Sequence, residues 1–282
     1  MAESQPYQHP QDATRLTGKV AIVTGAGSRG DGIGNGRAIS IILARRGAKV
    51  LLTDVQPEWM EVTARMIAAE GGECATQICD VADEAQCRAA VEAAVARWGR
   101  LDILVNNVGI SGPPGDATKV DPAAWDYAMR VNVASVMLMS KYAIPEMQKV
   151  GGGAIVNLAS IAGLQGGHPG LLYPTTKGAI VQMTRAMASH HGPDGIRVNA
   201  VAPGYVYTPM VASRGMTEEL RRFRREMGLL KTEGTAWDVA EAVAFLASPA
   251  ARWITGHTLP VDSGRSSGTT NRGSPVPDGK AR

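Results

Sequence analysis

The chain has 282 residues, 44% hydrophobic and 20% charged, which excludes disorder over its whole length and leaves room for one large core or two modest ones. No apolar run reaches the ~18 residues of a membrane span, and residues 1–16 are too polar for a secretory core, so a soluble cytoplasmic protein with no membrane partner is expected. The net charge of +3 hints at an acidic partner, but most of it lies after Gly264, where Arg265, Arg272, Lys280 and Arg282 face only Asp278, so no nucleic-acid surface is expected.

Short β-branched runs alternate with amphipathic stretches. In chain order, strands are predicted at Val20–Thr24, Val50–Asp54, Ala75–Cys79, Ile103–Asn106, Ala154–Leu158, Ile196–Val201 and Thr258–Val261. Helical periodicity runs through Pro57–Ala69 and Glu84–Trp98, the latter with an expected apolar stripe of Ala89, Val91, Ala94 and Val95. Each strand-helix-strand unit takes roughly the thirty residues of a right-handed parallel crossover. The fold class that follows is α/β: a single doubly wound Rossmann-type domain over residues 17–264, with a mostly parallel seven-stranded sheet flanked by helices. Residues 1–16 and 265–282 are expected to be flexible tails, since the second in particular has too few apolar side chains to offset its ordering entropy. Cys74, Cys79 and Cys87 lack CxxC spacing and neighbouring histidines, which argues for reduced core thiols and against a disulfide framework or a metal site.

The first strand runs into Thr24-Gly25-Ala26-Gly27-Ser28-Arg29-Gly30-Asp31-Gly32-Ile33-Gly34-Asn35-Gly36 and then into an apolar helix. Glycines between a buried strand and a helix let the backbone turn tightly and approach a pyrophosphate, which the free N–H groups of the helix N-terminus hold. Asp54 closes the second strand, where a carboxylate accepts ribose hydroxyls and repels a 2′-phosphate, so NAD is expected over NADP. Arg29 pulls the other way, because a loop guanidinium attracts a 2′-phosphate.

From this loop onward the chain resembles the classical short-chain dehydrogenase/reductase family over nearly all of 17–264. Thr24-Gly25 with Gly32 and Gly34 is similar to the family's TGxxxGxG, Asp80-Val81 to its adenine-contacting pair, Asn106-Asn107-Val108-Gly109 to NNAG, and Asn132 to its helix asparagine. Ser160, Tyr173 and Lys177 resemble its Ser and Tyr-x3-Lys set, with thirteen residues from Ser to Tyr. Pro203-Gly204 with Val206 and Thr208 is similar to the PGxVxT nicotinamide loop, and Thr255-Gly256-His257 to Asp262-Ser263-Gly264 to the closing strand. The resemblance implies that Asn132, Ser160, Tyr173 and Lys177 are catalytic. It implies that the dinucleotide lies against Gly25, Ser28, Arg29, Gly32, Ile33, Gly34, Asp54, Asp80, Val81, Asn107, Val108, Gly109, Val131, Tyr173, Lys177, Pro203, Gly204, Val206 and Thr208. It also implies a homo-oligomer, with a tetramer favoured, built through the helices carrying Asn132 and Tyr173 and through the closing strand.

The chain departs from the family pattern in three places. Its glycine loop is about five residues longer than usual, so either Gly32-Ile33-Gly34 or Gly34-Asn35-Gly36 takes the GxG role. Residues 32–40 also resemble the loop of divergent enoyl reductases, whose Tyr–Lys spacing is wider than that of Tyr173 and Lys177. Val108 stands for Ala, and Pro174 places Tyr173 at the start of its helix, where proline is tolerated.

Tyr173 and Lys177 lie four apart in a helical pattern and share a face. A free phenol titrates near 10, and a neighbouring ammonium favours its phenolate. With the hydride assigned to the nicotinamide, the protein must handle the proton on the substrate oxygen, a task suited to Tyr173, while Ser160 can hydrogen-bond the same oxygen. By resemblance Lys177 also binds the nicotinamide ribose, and Asn132 keeps a water between Lys177 and solvent. The implied substrate wall is Ile110, Ser111, Gly112, Pro113, Ala162, Leu164, Gln165, His168, Tyr205, Tyr207 and Met210. It is mostly apolar and favours a hydrophobic or alicyclic secondary alcohol or ketone over a sugar. Met216–Met227 reads as a lid helix, whose Arg221, Arg222, Arg224 and Arg225 meet either an acidic substrate group or solvent, since Glu218, Glu219 and Glu226 interleave with them. His257 reads as structural. The expected function is an NAD-dependent oxidoreductase interconverting a secondary alcohol and a ketone. The alternatives are an NADP-preferring carbonyl or 3-oxoacyl-type reductase, and a non-catalytic dinucleotide-binding regulator, which the joint presence of Ser160, Tyr173 and Lys177 disfavours.

Overall fold

Val20–Thr24 (β1) and Ile103–Asn106 (β4) are buried at every position, as a parallel sheet covered on both faces requires. Ala21 and Val23 point into one core with Ile39 and Leu43, while Val20 and Ile22 point into the other with Val91 and Met139, which is the alternation a pleated strand imposes. A computed structural model describes residues 12–30, 32–213 and 215–268. The other sheet strands are Lys49–Asp54 (β2), Cys74–Ile78 (β3), Gly153–Leu158 (β5), Ile196–Pro203 (β6) and Thr258–Val261 (β9), in the order β3-β2-β1-β4-β5-β6-β9 with every pairing parallel. Val206–Tyr207 (β7) and Gly234–Thr235 (β8) form a separate two-stranded pair. The order reverses between β1 and β4, and a crevice opens beyond the carboxyl ends of strands at such a switch point.

One core holds Asn35–Arg45 (α1), Pro57–Ala69 (α2) and Ala236–Ala247 (α9) against the sheet; the other holds Glu84–Trp98 (α3), Ser135–Lys149 (α5) and Leu172–His191 (α6). Pro122–Met129 (α4) runs into α5 through a π-helical turn, Arg130–Ala134. Pro209–Ala212 (α7) and Glu218–Glu226 (α8) lie over the mouth of the crevice. No helix among the described residues is long and apolar enough to cross a membrane.

The differences from the sequence reading are local. In α3 the buried stripe is Cys87, Ala90, Val91 and Ala94, with Ala89 exposed, because these four keep the i, i+3, i+4, i+7 spacing of a single helical face. The fold also reaches further toward the N-terminus than residue 17. Ala13 and Leu16 are buried, Leu16 N–H donates to Arg46 C=O at 2.7 Å, and Ala13 C=O accepts from Ala250 N–H at 2.9 Å. At the other end, Ser266 N–H donates to Asp262 at 2.7 Å. The rest of the expected tails, residues 1–11 and 269–282, lies outside the described residues.

α1 packs so closely on the turn after β1 that a Cβ on Gly36 would overlap the carbonyl oxygen of Gly25. Gly36→Ala is therefore expected to lower stability by about 1–3 kcal/mol in urea unfolding. Gly166→Ala, which meets nothing within 4 Å, should stay within about 0.5 kcal/mol of wild type.

Candidate active site

A cavity of about 540 Å³ opens at the carboxyl ends of β1, β4 and β5. At one end Gly25 adopts φ +63°, and its turn is held by Asn107, whose Nδ2 donates to the carbonyls of Thr24 and Gly25, each at 3.0 Å. Gly34 is the N-cap of α1; no side chain caps the helix and no acid lies in its first turn, so its leading N–H groups are open to an anion. The lining contains Gly34, Asn35 and Gly36, whereas Gly32 packs on Pro209 and Ile33 on the hydrophobic core. Between the two registers open to the loop, the geometry puts Gly34-Asn35-Gly36 at the crevice and turns Gly32 and Ile33 away from it. The extra loop residues are tied down by Arg37, which is fully buried and donates to the carbonyls of Ser28, Gly30 and Gly32 at 3.1, 3.0 and 2.5 Å and to Thr63 Oγ1 at 3.1 Å.

Beyond the loop, Asp54 accepts from the N–H groups of Gly27 and Gln56 at 3.1 and 3.2 Å, and burial pushes its carboxyl above the ordinary carboxylate range. Asp80 and Val81 line the same end, together with Val55 and Trp59, which no sequence motif marks, and Cys79, which the sequence marks only as a core thiol. Trp59 lies in the first turn of α2, right behind Asp54, and that placement after a strand-closing acid is the signal that marks it.

At the other end, Tyr173 lies in the first turn of α6 and Lys177 one turn on. Lys177 is buried; its Nζ donates to Leu158 C=O at 2.7 Å and lies 5.7 Å from the centre of the Tyr173 ring. Desolvation pushes its ammonium down to about 8. Ser160 lies two residues past the end of β5 and caps the turn that follows, its Oγ accepting from Ala162 N–H at 3.2 Å; that turn rests on α6 only because Gly163 has no Cβ, which would lie 2.5 Å from the backbone carbon of Lys177. The His168 ring packs 5.3 Å from that of Tyr173.

Asn132 does not line the cavity. It is fully buried in the π-helical turn, where its Oδ1 accepts from Ile110 N–H and its Nδ2 donates to Ile110 C=O, both at 2.8 Å, and to Thr176 Oγ1 at 3.2 Å. A Cβ on Gly109 would lie 3.7 Å from Asn132 Oδ1 and 3.1 Å from Lys177 Nζ, so both side chains lie close to that glycine.

A family model described as enoyl-(acyl carrier protein) reductase matches residues 28–266. The chain is 39% identical over 246 residues to cis-4-hydroxycyclohexanecarboxylate dehydrogenase of Sinomonas cyclohexanicum, covering 87% of this chain and 96% of that one. It is 35% identical to cyclohexanol dehydrogenase of an Acinetobacter strain, covering 89% and 96%. A solved short-chain dehydrogenase/reductase from Burkholderia xenovorans superposes with a TM-score of 0.86 at 41% identity, covering 91% of this chain and 99% of that one. The chain belongs to the short-chain dehydrogenase/reductase family. It is an oxidoreductase acting on CH–OH groups, of a family that binds NAD(P).

In this short-chain dehydrogenase/reductase the cavity also touches Ser28, Arg29, Val108, Gly109, Val131, Pro203, Gly204, Val206 and Thr208. Of the expected substrate wall, Ile110, Ser111, His168 and Met210 line the cavity, joined by Tyr127 and Val211. Gly112, Pro113, Ala162, Leu164, Gln165, Tyr205 and Tyr207 lie outside its lining. His257 serves through its backbone, donating to Asn199 Oδ1 at 3.1 Å and accepting from Ala200 N–H at 2.8 Å. Among the described residues no group of three or more His, Cys, Asp or Glu side chains could hold a metal.

The lowered Lys177 pKa makes stability depend on pH. Between about 8 and the ordinary lysine value of about 10.4, the unfolded chain holds a proton that the native lysine has lost, so this group's contribution rises with pH through that window. The stability difference between wild type and Lys177→Met, from urea unfolding at about pH 7.5 and about pH 9.5, should move in favour of wild type at the higher pH. A difference independent of pH contradicts the assignment.

Proposed function

We propose that the protein is an NAD-dependent dehydrogenase that interconverts a hydrophobic or alicyclic secondary alcohol and its ketone. The reading rests on one cavity that joins a carboxylate at the end of β2 to the Ser160–Tyr173–Lys177 set across an apolar wall. The cradle fits a dinucleotide: Gly27 has no room for a Cβ between Trp59 and Asp54, Gly34 none beside Ser28, and the uncapped start of α1 offers its N–H groups to a pyrophosphate. Asp54, its carboxyl raised by burial despite its backbone donors, would accept hydrogen bonds from the ribose hydroxyls; Asp80 and Val81 would flank the adenine, and Lys177 the second ribose. When bound, the nicotinamide supplies or accepts the hydride.

The chain's own residues handle the proton. Lys177, cationic at neutral pH and packed beside the Tyr173 ring, favours the phenolate, so that Tyr173 takes the proton of the substrate hydroxyl or returns it to the ketone oxygen. Ser160, fixed against α6, donates to that oxygen and stabilises its developing charge. Ile110, Met210 and Val211 exclude water around the hydrocarbon part. The cyclohexane-ring substrates named for two relatives support an alicyclic alcohol. The open edge of β9 and the exposed Trp253 support assembly into a homo-oligomer, for which a tetramer is the family form.

Tyr173→Phe is expected to lower cyclohexanol oxidation by roughly 10²–10⁴-fold while NADH still quenches the tryptophan emission through Trp59. Turnover comparable to wild type would overturn the role of Tyr173. In the same fluorescence titration NADH should bind at least tenfold more tightly than NADPH, and Asp54→Ala should narrow the gap; a preference for NADPH contradicts the Asp54 reading.

A further inference from the structure

The four arginines of α8 look alike in the sequence, but their surroundings differ. Arg221 makes a two-pronged ion pair with Glu233 at 2.6 and 2.5 Å and stacks on the Tyr207 ring at 4.2 Å. Arg225 pairs with Glu218 at 3.0 Å and lies 3.7 Å from Glu233, while Arg222 is exposed. Arg224 alone of the four turns into the catalytic cavity. It is half-buried, donates to Val206 C=O at 3.2 Å, packs at 5.0 Å over the Tyr205 ring, and has no ion-pair partner among the described residues. Burial pushes its guanidinium below its ordinary value, although Tyr205 and Glu233 pull the other way.

The charges lining the cavity are segregated. Its carboxylates, Asp54 and Asp80, both lie at the end near β2 and β3, and Arg29 sits on the glycine loop. Lys177, beside Tyr173, is already hydrogen-bonded to Leu158 C=O, and Arg224 enters the same lining from α8. An anionic group entering with the substrate meets Arg224 from α8, while Arg29 reaches from the glycine loop to Ser213 Oγ at 3.4 Å. A planar monoanion suits Arg224, because a carboxylate matches the guanidinium fork, whereas a phosphate dianion would face Glu218 and Glu233 on the same helix and its flank.

We propose that Arg224 binds a carboxylate carried by the substrate, which makes the preferred substrate class alicyclic hydroxy acids and their keto acids. The inference rests on the dehydrogenase reading above. Calorimetric titration of cyclohexanecarboxylate and of its methyl ester into the NAD-saturated protein reads it without turnover. The acid is expected to bind at least tenfold more tightly than the ester; Arg224→Gln should erase that advantage, and Arg222→Gln, on the exposed side of the same helix, should retain it. Equal affinity of the wild-type protein for acid and ester, binding of neither, or an advantage that survives Arg224→Gln overturns the proposal. Failure of the dehydrogenase reading itself shows separately, as no reduction of NAD by the wild-type protein with cyclohexanol.

Discussion

Lys177 is a cation removed from water with a single carbonyl oxygen to receive it, and the catalytic end of the molecule is arranged around that cost. An ammonium held in low dielectric exerts a strong field on whatever lies beside it, here the Tyr173 ring one helical turn away. The lysine can be held there because glycines let backbone approach it: Gly163 brings the Ser160 turn onto α6, and Gly109 leaves room in front of Nζ. Asn132 completes the enclosure by exchanging two hydrogen bonds with the Ile110 backbone from a π-helical turn, a helix irregularity that recurs at functional sites.

The same economy runs along the crevice. Side-chain amides and hydroxyls tie the strand ends to one another, Asn106 to Asn157 at 2.9 Å and Asn157 to Thr184 at 3.0 Å, so the loops that carry function leave a fixed platform. Of the charged lining groups, the carboxylates Asp54 and Asp80 lie beside β2 and β3, Arg29 on the glycine loop, and Lys177 beside Tyr173. On the proposed reading, that arrangement gives the cavity a direction: a dinucleotide would lie along it with its adenosine toward Asp54, and a small oxygen-bearing ring at the far end.

Much of this was legible in the sequence because it is local. The central strands are buried aliphatic runs, all seven sheet strands fall within two residues of their expected ends, and the Tyr173–Lys177 spacing alone puts both side chains on one helical face. What stayed hidden depends on contacts between distant segments. Two GxG frames fit the long glycine loop equally well until Gly36 is seen backing onto Gly25 and Ile33 entering the core. Asn107 looked like a cofactor contact, yet its amide also holds the turn after β1, 83 residues earlier in the chain. The arginines of α8 could be separated only by locating Glu233, which lies outside that helix. Leu16 reads as part of a polar tail until the Arg46 carbonyl is found to receive its N–H.

The most direct test follows an isotope through the crevice. The wild-type protein is given NAD and cyclohexanol deuterated at its carbinol carbon, and the NADH formed is analysed by mass spectrometry. One deuterium on the nicotinamide ring and none in solvent is the expected result, since on the proposed reading the hydride would pass directly from substrate to nicotinamide and Tyr173 would handle only the hydroxyl proton. NADH formed without label, or no NADH at all, would contradict it.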